Sequence, residues 1–148
     1  MTEGRDRGAA GELAPADRVR LGIDLYNARD LDGVVALIPD GFVHDMRGTG
    51  IPGMEVYVGP GAYRRFLEEW LEAFPESQLE IESIETAGEV VFAVIRQEMR
   101  GASGGVPVTF RYASVTSIRD GVGTASEFHT DLERARERFK LLAGAAGA

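Results

Sequence analysis

The stretch Tyr63–Phe74, YRRFLEEWLEAF, decides how this chain is read. Tyr63, Phe66, Leu67, Trp70, Leu71 and Phe74 fall on one stripe at helical spacing, with charged residues between them. Pro75 ends the pattern, because proline has no N–H to continue a helix. Everything C-terminal to it follows a different period. Leu79 and Ile81 alternate with Glu80 and Glu82, which predicts a half-buried strand. Ala87-Gly88 turns the chain. Val90–Ile95 is rich in β-branched residues with apolar positions on both parities, so this strand is predicted to be covered on both faces. Gly101–Gly105 reads as a hairpin loop, Val106–Ile118 as a long strand and Asp120-Gly121 as a tight turn. Gly123–Thr130 is the last strand, and Leu132, Ala135 and Phe139 predict a short closing helix.

N-terminal to the stripe, the pattern is helical again. Pro15 suits a first turn, and Val19, Ile23, Leu25 and Tyr26 carry a helix from about Pro15 to Ala28. Asp30 is placed to cap a second helix through Leu31, Val34, Val35 and Ile38, which Pro39 stops. Gly41–Arg47 reads as a short strand. A glycine-rich loop follows through Gly48, Gly50, Gly53 and Gly59.

Consecutive strands joined by tight turns pair antiparallel. Helices gathered before such a sheet make an α+β fold with the helices on one face. The expected architecture is a cone, a curved antiparallel sheet wrapped around a long helix. Its open end would receive a small ligand. At 148 residues the chain is one domain, expected over residues 14–140 between flexible tails at 1–13 and 141–148.

Composition excludes several functions. The formal charge of −8 disfavours a nucleic-acid backbone and an anionic membrane surface. No apolar run reaches the roughly 18 residues that a membrane helix needs. There is no cysteine, so thiol chemistry and disulfides are ruled out. Residues 1–10 have no apolar signal-peptide core, and a cytoplasmic location is the default expectation. His44 and His129 are the only histidines and lack metal-ligand spacing, so neither a metal nor a cofactor is expected.

Several segments, taken in order, resemble a known family. Asp30–Leu37, Val43-His44-Asp45, Tyr57-Val58-Gly59 and the Tyr63–Phe74 helix look like SnoaL-like polyketide cyclases and ketosteroid isomerase-related proteins of the nuclear transport factor 2-like superfamily. Arg119-Asp120-Gly121 and Asp131 resemble that family's final hairpin and terminal aspartate. The resemblance spans about residues 17–140. It implies a cystatin-like cone with a pocket for a small hydrophobic molecule, and a homodimer paired through the open sheet. It leaves the reaction open, because this fold hosts isomerases, cyclases, dehydratases, epoxide hydrolases and binding proteins.

On the resemblance, Asp45 stands where the isomerases keep their proton-transferring carboxylate. A carboxylate in an apolar cavity gains proton affinity and becomes a usable base. The other reading of Asp45 is a strand-end residue paired with Arg47. The rest of the isomerase set is missing: its oxyanion tyrosine falls at Gly22 and its second acid near Ser114. Tyr26 lies one turn further along.

Glu127, His129 and Asp131 share one strand face, with Ser126, Phe128 and Thr130 on the other. If the first set faces the cone, the pocket holds an imidazole between two carboxylates, an acid/base unit. Asp131 matches the cyclases' acid/base aspartate by position, and it is also placed to cap the last helix. Arg96 and Glu98 share a face too. With Asp131 they resemble the limonene-type epoxide hydrolases, although those enzymes have Asp where Glu98 stands and a tyrosine where Val43 stands. The pair reads equally as a surface ion pair. Candidate pocket-lining residues are Tyr26, Phe42, Tyr63, Phe66, Trp70 and Tyr112, though an aromatic stripe at helical spacing also makes ordinary core. The sequence therefore leaves a cofactor-free acid/base enzyme acting on a hydrophobic carbonyl or polyketide-like compound, a non-catalytic binding module, and an epoxide hydrolase.

Overall fold

The computed structural model describes residues 13–147. Helix α1 spans Pro15–Asn27 and α2 spans Leu31–Ala36. Between them Arg29 takes a left-handed φ of 64°, and Asp30 accepts a cap hydrogen bond from the Gly33 N–H at 2.9 Å. Gly33 is required there, because an added Cβ would stand 2.6 Å from the Asp30 carboxylate. Strand β1 covers only Val43–Asp45, and the chain then turns through a short 3-10 helix at Arg47–Thr49. The glycine-rich loop contains a second short strand, β2, at Val56–Val58. Helix α3 runs Gly59–Ala73, starting one turn before its apolar stripe.

The remaining strands are β3 (Gln78–Ala87), β4 (Val90–Gly101), β5 (Gly104–Arg119) and β6 (Val122–His129). Asp120 and Gly121 both have positive φ, 53° and 78°, as a two-residue hairpin turn demands. The sheet order is β2-β1-β6-β5-β4-β3. All neighbours are antiparallel except β1 and β6, which run parallel.

The α+β cone follows from alternation along β4. Ala93 and Ile95, with Tyr112 of β5, face α1–α3. Leu67 of α3 packs beneath Tyr26 and Val34 to close that side. Val90, Phe92 and Val94 point the other way, with Ala113 and Val115 of β5. They are covered by Ala135 and Phe139 of the last helix, α4 (Leu132–Gly147). Both parities of β4 are thus buried, as its apolar run implies. The sequence reading gave α4 too small a part. It continues through Gly147, where a tail was expected from residue 141, and it roofs the sheet's outer face. Of the outward parity of β5, Gly105, Pro107, Thr109, Arg111 and Arg119 are exposed. Residues 1–12 of the expected N-terminal tail lie outside the described residues.

Candidate functional site

Sheet and helices α1–α3 enclose a cavity of about 140 Å³. Val19, Ile23, Val34, Leu37 and Ile38 form its helical wall. Ile95, Ser114, Thr116, Ser126 and Phe128 form its sheet wall. A smaller chamber of about 50 Å³ adjoins it, against Phe66, Trp70, His44 and Gln97. The two share Tyr26, Tyr63, Leu79, Tyr112 and Phe128. Of the six aromatic residues nominated from sequence, Tyr26, Tyr63 and Tyr112 line both chambers. Phe42 lines the larger one, and Phe66 and Trp70 the smaller. Burial raises the pKa of Tyr63 and Tyr112, so both hydroxyls keep their protons.

Few polar groups interrupt these apolar walls. The hydroxyls of Thr116 and Ser126 lie 3.4 Å apart. Arg18 of α1 lines the larger chamber and donates to the Leu37 carbonyl at 2.5 Å, and burial lowers its pKa. Tyr26 and Gln97 both donate to the Ser77 hydroxyl, at 2.8 and 2.7 Å, tying α1 to β4 through a buried bridge. No carboxylate of the described residues lines either chamber.

The polar residue that does enter is His44. It is 1% exposed. Its ring lies edge-on to Phe128 and Tyr63, with centroids 4.6 and 4.8 Å away. Neither ring nitrogen has a hydrogen-bond partner. Burial lowers the imidazole to about 3, outweighing the opposite pull of Asp45, so the ring is neutral near pH 7. A buried polar atom left unmet costs about 1–3 kcal/mol. His44 is therefore held in place by aromatic packing alone.

The carboxylates and the second histidine lie elsewhere, and the parity of the last strand, left open by the sequence, is the one with Ser126 and Phe128 inward. Ser126 and Phe128 face the cone, while Glu127 and His129 face away from it. The physical reason is α4, which supplies a partner on the outer side. Arg138 donates to both Glu127 oxygens, at 2.9 and 2.5 Å, and His129 Nε2 lies 2.9 Å from the same carboxylate. Burial alone would raise Glu127, but the hydrogen bonds from Arg138 and His129 set it below the usual carboxylate value. His129 packs on Gly48, where a Cβ would stand 2.4 Å from Nδ1.

Asp131 accepts from the N–H groups of Glu133 and Arg134 at 3.0 and 3.2 Å, which makes it the exposed N-cap of α4. Asp45 pairs in register with Glu127, one residue out of phase with the cone, whereas His44 pairs with Ser126. Arg47 binds the Asp45 carboxylate at 2.9 and 3.0 Å and holds its pKa below the usual range, not above it. Arg96 and Glu98 pair at 2.6 Å, on the face of β4 opposite the cavity-lining Ile95 and Gln97. Asp45, Glu127, His129, Arg96, Glu98 and Asp131 thus all stand outside the two chambers.

With that geometry in hand, comparison with known proteins decides the family. The family model of the SnoaL-like domain matches residues 19–124. The chain belongs to the SnoaL-like domain family. No curated protein matches the sequence. Solved structures share the fold at low identity. A cystatin-fold protein of Novosphingobium aromaticivorans is 21% identical with a TM-score of 0.67, over 78% of this chain and 97% of that one. An NTF2-like protein of Burkholderia pseudomallei is 18% identical with a TM-score of 0.69, over 86% and 95%. A Mycobacterium tuberculosis protein, solved with estradiol-17beta-hemisuccinate, is 16% identical with a TM-score of 0.69, over 82% and 97%.

The SnoaL-like cone of this chain also holds residues that sequence reasoning passed over: His44, Arg18, Ser114, Thr116 and Ser126. One local signal for His44 was available. Phe128 is the sole large apolar residue of the last strand, so it belongs inside. The parallel β1–β6 register then carries His44 inside beside Ser126.

Proposed function

We propose that this SnoaL-like chain holds a compact, largely apolar ring compound inside its cone. The observation that carries this reading is the cavity of about 140 Å³ with apolar and aromatic walls and no carboxylate. Its size is close to the roughly 150 Å³ engineered cavity that stays dry and takes benzene. The smaller chamber behind Phe128 and Tyr112 gives room for a substituent. The M. tuberculosis protein of the same fold, solved in complex with an estradiol ester, supports a ring-containing small molecule as the class of ligand.

A cofactor-free acid/base enzyme is the second reading, and a different observation favours it. His44 is a neutral imidazole in the wall of the smaller chamber, and burial, which lowers it to about 3, suits it to donate a hydrogen bond to the oxygen of a bound carbonyl compound and not to act as a base. On this reading His44, and not Asp45, His129 or Asp131, meets the reacting oxygen. An epoxide hydrolase would need a water-activating acid in the cavity, and Glu98 and Asp131 are not there.

Trp70 is the only tryptophan and lines the smaller chamber, so it reports occupancy directly. Cyclic ketones, phenols and aromatic esters titrated into the protein should change its emission saturably at one ligand per chain. Parallel incubations in water labelled with deuterium and heavy oxygen, read by mass spectrometry, separate binding from turnover. Saturation without mass change marks a binding module. Deuterium gain marks proton transfer at carbon. No saturable response across the panel would sink the proposal.

A further inference from the structure

The smaller chamber is chemically lopsided. Its walls are Met46, Ile51, Leu67 and the rings of Tyr63, Phe66 and Phe128, among others, with His44 set between the rings. Gln97 is the other amide or imidazole there, and its Nε2 is already committed to the Ser77 hydroxyl at 2.7 Å. His44 has no such commitment, since both its ring nitrogens are buried and unmet. A neutral imidazole offers one N–H donor and one lone pair. Buried polar atoms without a partner are rare, and a ligand oxygen in the adjoining chamber accounts for a pair of them on one ring.

Charge and size narrow what answers them. A neutral ring in apolar surroundings cannot balance a carboxylate, and an unpaired buried charge is far costlier than a neutral polar atom. Arg18, the cation among the described lining residues, borders the larger chamber and not the smaller one that holds His44. About 50 Å³ is too small for an aromatic ring but accepts an oxygen-bearing substituent. The ring then occupies the larger chamber, which adjoins the smaller one along Tyr26, Tyr63, Tyr112 and Phe128.

We propose that His44 is the specificity-determining residue of the cone, and that its ligand is an uncharged ring compound whose hydroxyl or carbonyl oxygen hydrogen-bonds to the His44 imidazole. This rests on the reading of the cone as a small-molecule pocket, and it adds the ligand's polarity and the residue that selects it.

A matched set of probes tests it: naphthalene, naphthol and naphthoate, measured by equilibrium dialysis against the full chain and its His44→Phe variant. The wild-type protein should bind naphthol about tenfold tighter than naphthalene, and naphthoate weakest, because a site with an unmet polar group discriminates against a ligand lacking its partner. In His44→Phe the naphthol advantage should vanish while naphthalene binding persists.

Nitrogen-15 spectra of the wild-type imidazole provide a readout that does not depend on the variant folding. The His44 ring nitrogens should shift with naphthol and stay put with naphthalene. Equal binding of naphthol and naphthalene would overturn the inference and leave the pocket standing. So would tighter binding of naphthoate, or unmoved His44 resonances with naphthol bound. Failure of all three probes to bind would overturn the pocket reading itself.

Discussion

Acidification should weaken this fold through His44, by an amount that can be worked out. In the unfolded chain the imidazole titrates near the ordinary 6.5, whereas burial in the fold lowers it to about 3. The unfolded state therefore takes up the proton first. The stability at stake is intact above pH 6.5 and drains away as pH falls toward 3. Linkage between those two values gives a loss of about 2 kcal/mol between pH 8 and pH 5, and about 4 kcal/mol by pH 3. Urea unfolding at a series of pH values would measure it, with His44→Phe as the reference protein. The carboxylates held low by arginine, Asp45, Glu85 and Glu127, also lose stability on acidification. They do so in both proteins, at lower pH, and cancel in the difference. The wild-type curve should fall away from that of the variant between pH 6.5 and 5. Parallel curves over that window would refute the reasoning, because His44 would then be solvated or paired.

Three further outcomes follow from the placement of the charged residues. Asp131→Ala removes the cap of α4 and should cost about 1 kcal/mol in thermal unfolding while leaving probe affinity unchanged. Glu127→Gln weakens the tie between β6 and α4, where the carboxylate meets both Arg138 and His129. A loss of roughly 1–3 kcal/mol is expected by urea titration, again with the cone's affinity intact. Gly48→Ala would press a methyl group to 2.5 Å from the Phe128 carbonyl. A lowered melting temperature is expected, equivalent to about 1–3 kcal/mol of overpacking.

The fold could be read because its decisive signals are local. The stripe from Tyr63 to Phe74 carries its own period, Asp30 its own cap, and Asp120-Gly121 its own turn. What resisted reading was set by distant partners. Strand β2 has only three residues, Val56–Val58, and exists because β1 pairs with it. Helix α4 was underestimated because its C-terminal half, rich in alanine and glycine, lacks a strong stripe, yet it finds the outer face of β4 and β5. The phase of two short strands was not legible: the sequence left open whether Asp45 and the Glu127–His129 pair face the cone, and it is His44, Ser126 and Phe128 that line it. In a strand, a shift of one residue exchanges every side chain between faces. Arg138, which draws Glu127 outward, is eleven residues away and on another element. The family resemblance located the right strands, but it could not supply the phase of these particular residues.

The most direct test of the cone as the working site is a crystal structure of the chain with its tightest-binding probe. The ring is predicted to lie between α1 and the Ser114–Thr116 wall, against Phe128, with its oxygen toward His44. A probe bound instead over Asp45, Glu127 and His129, on the outer side of the sheet, would contradict the account.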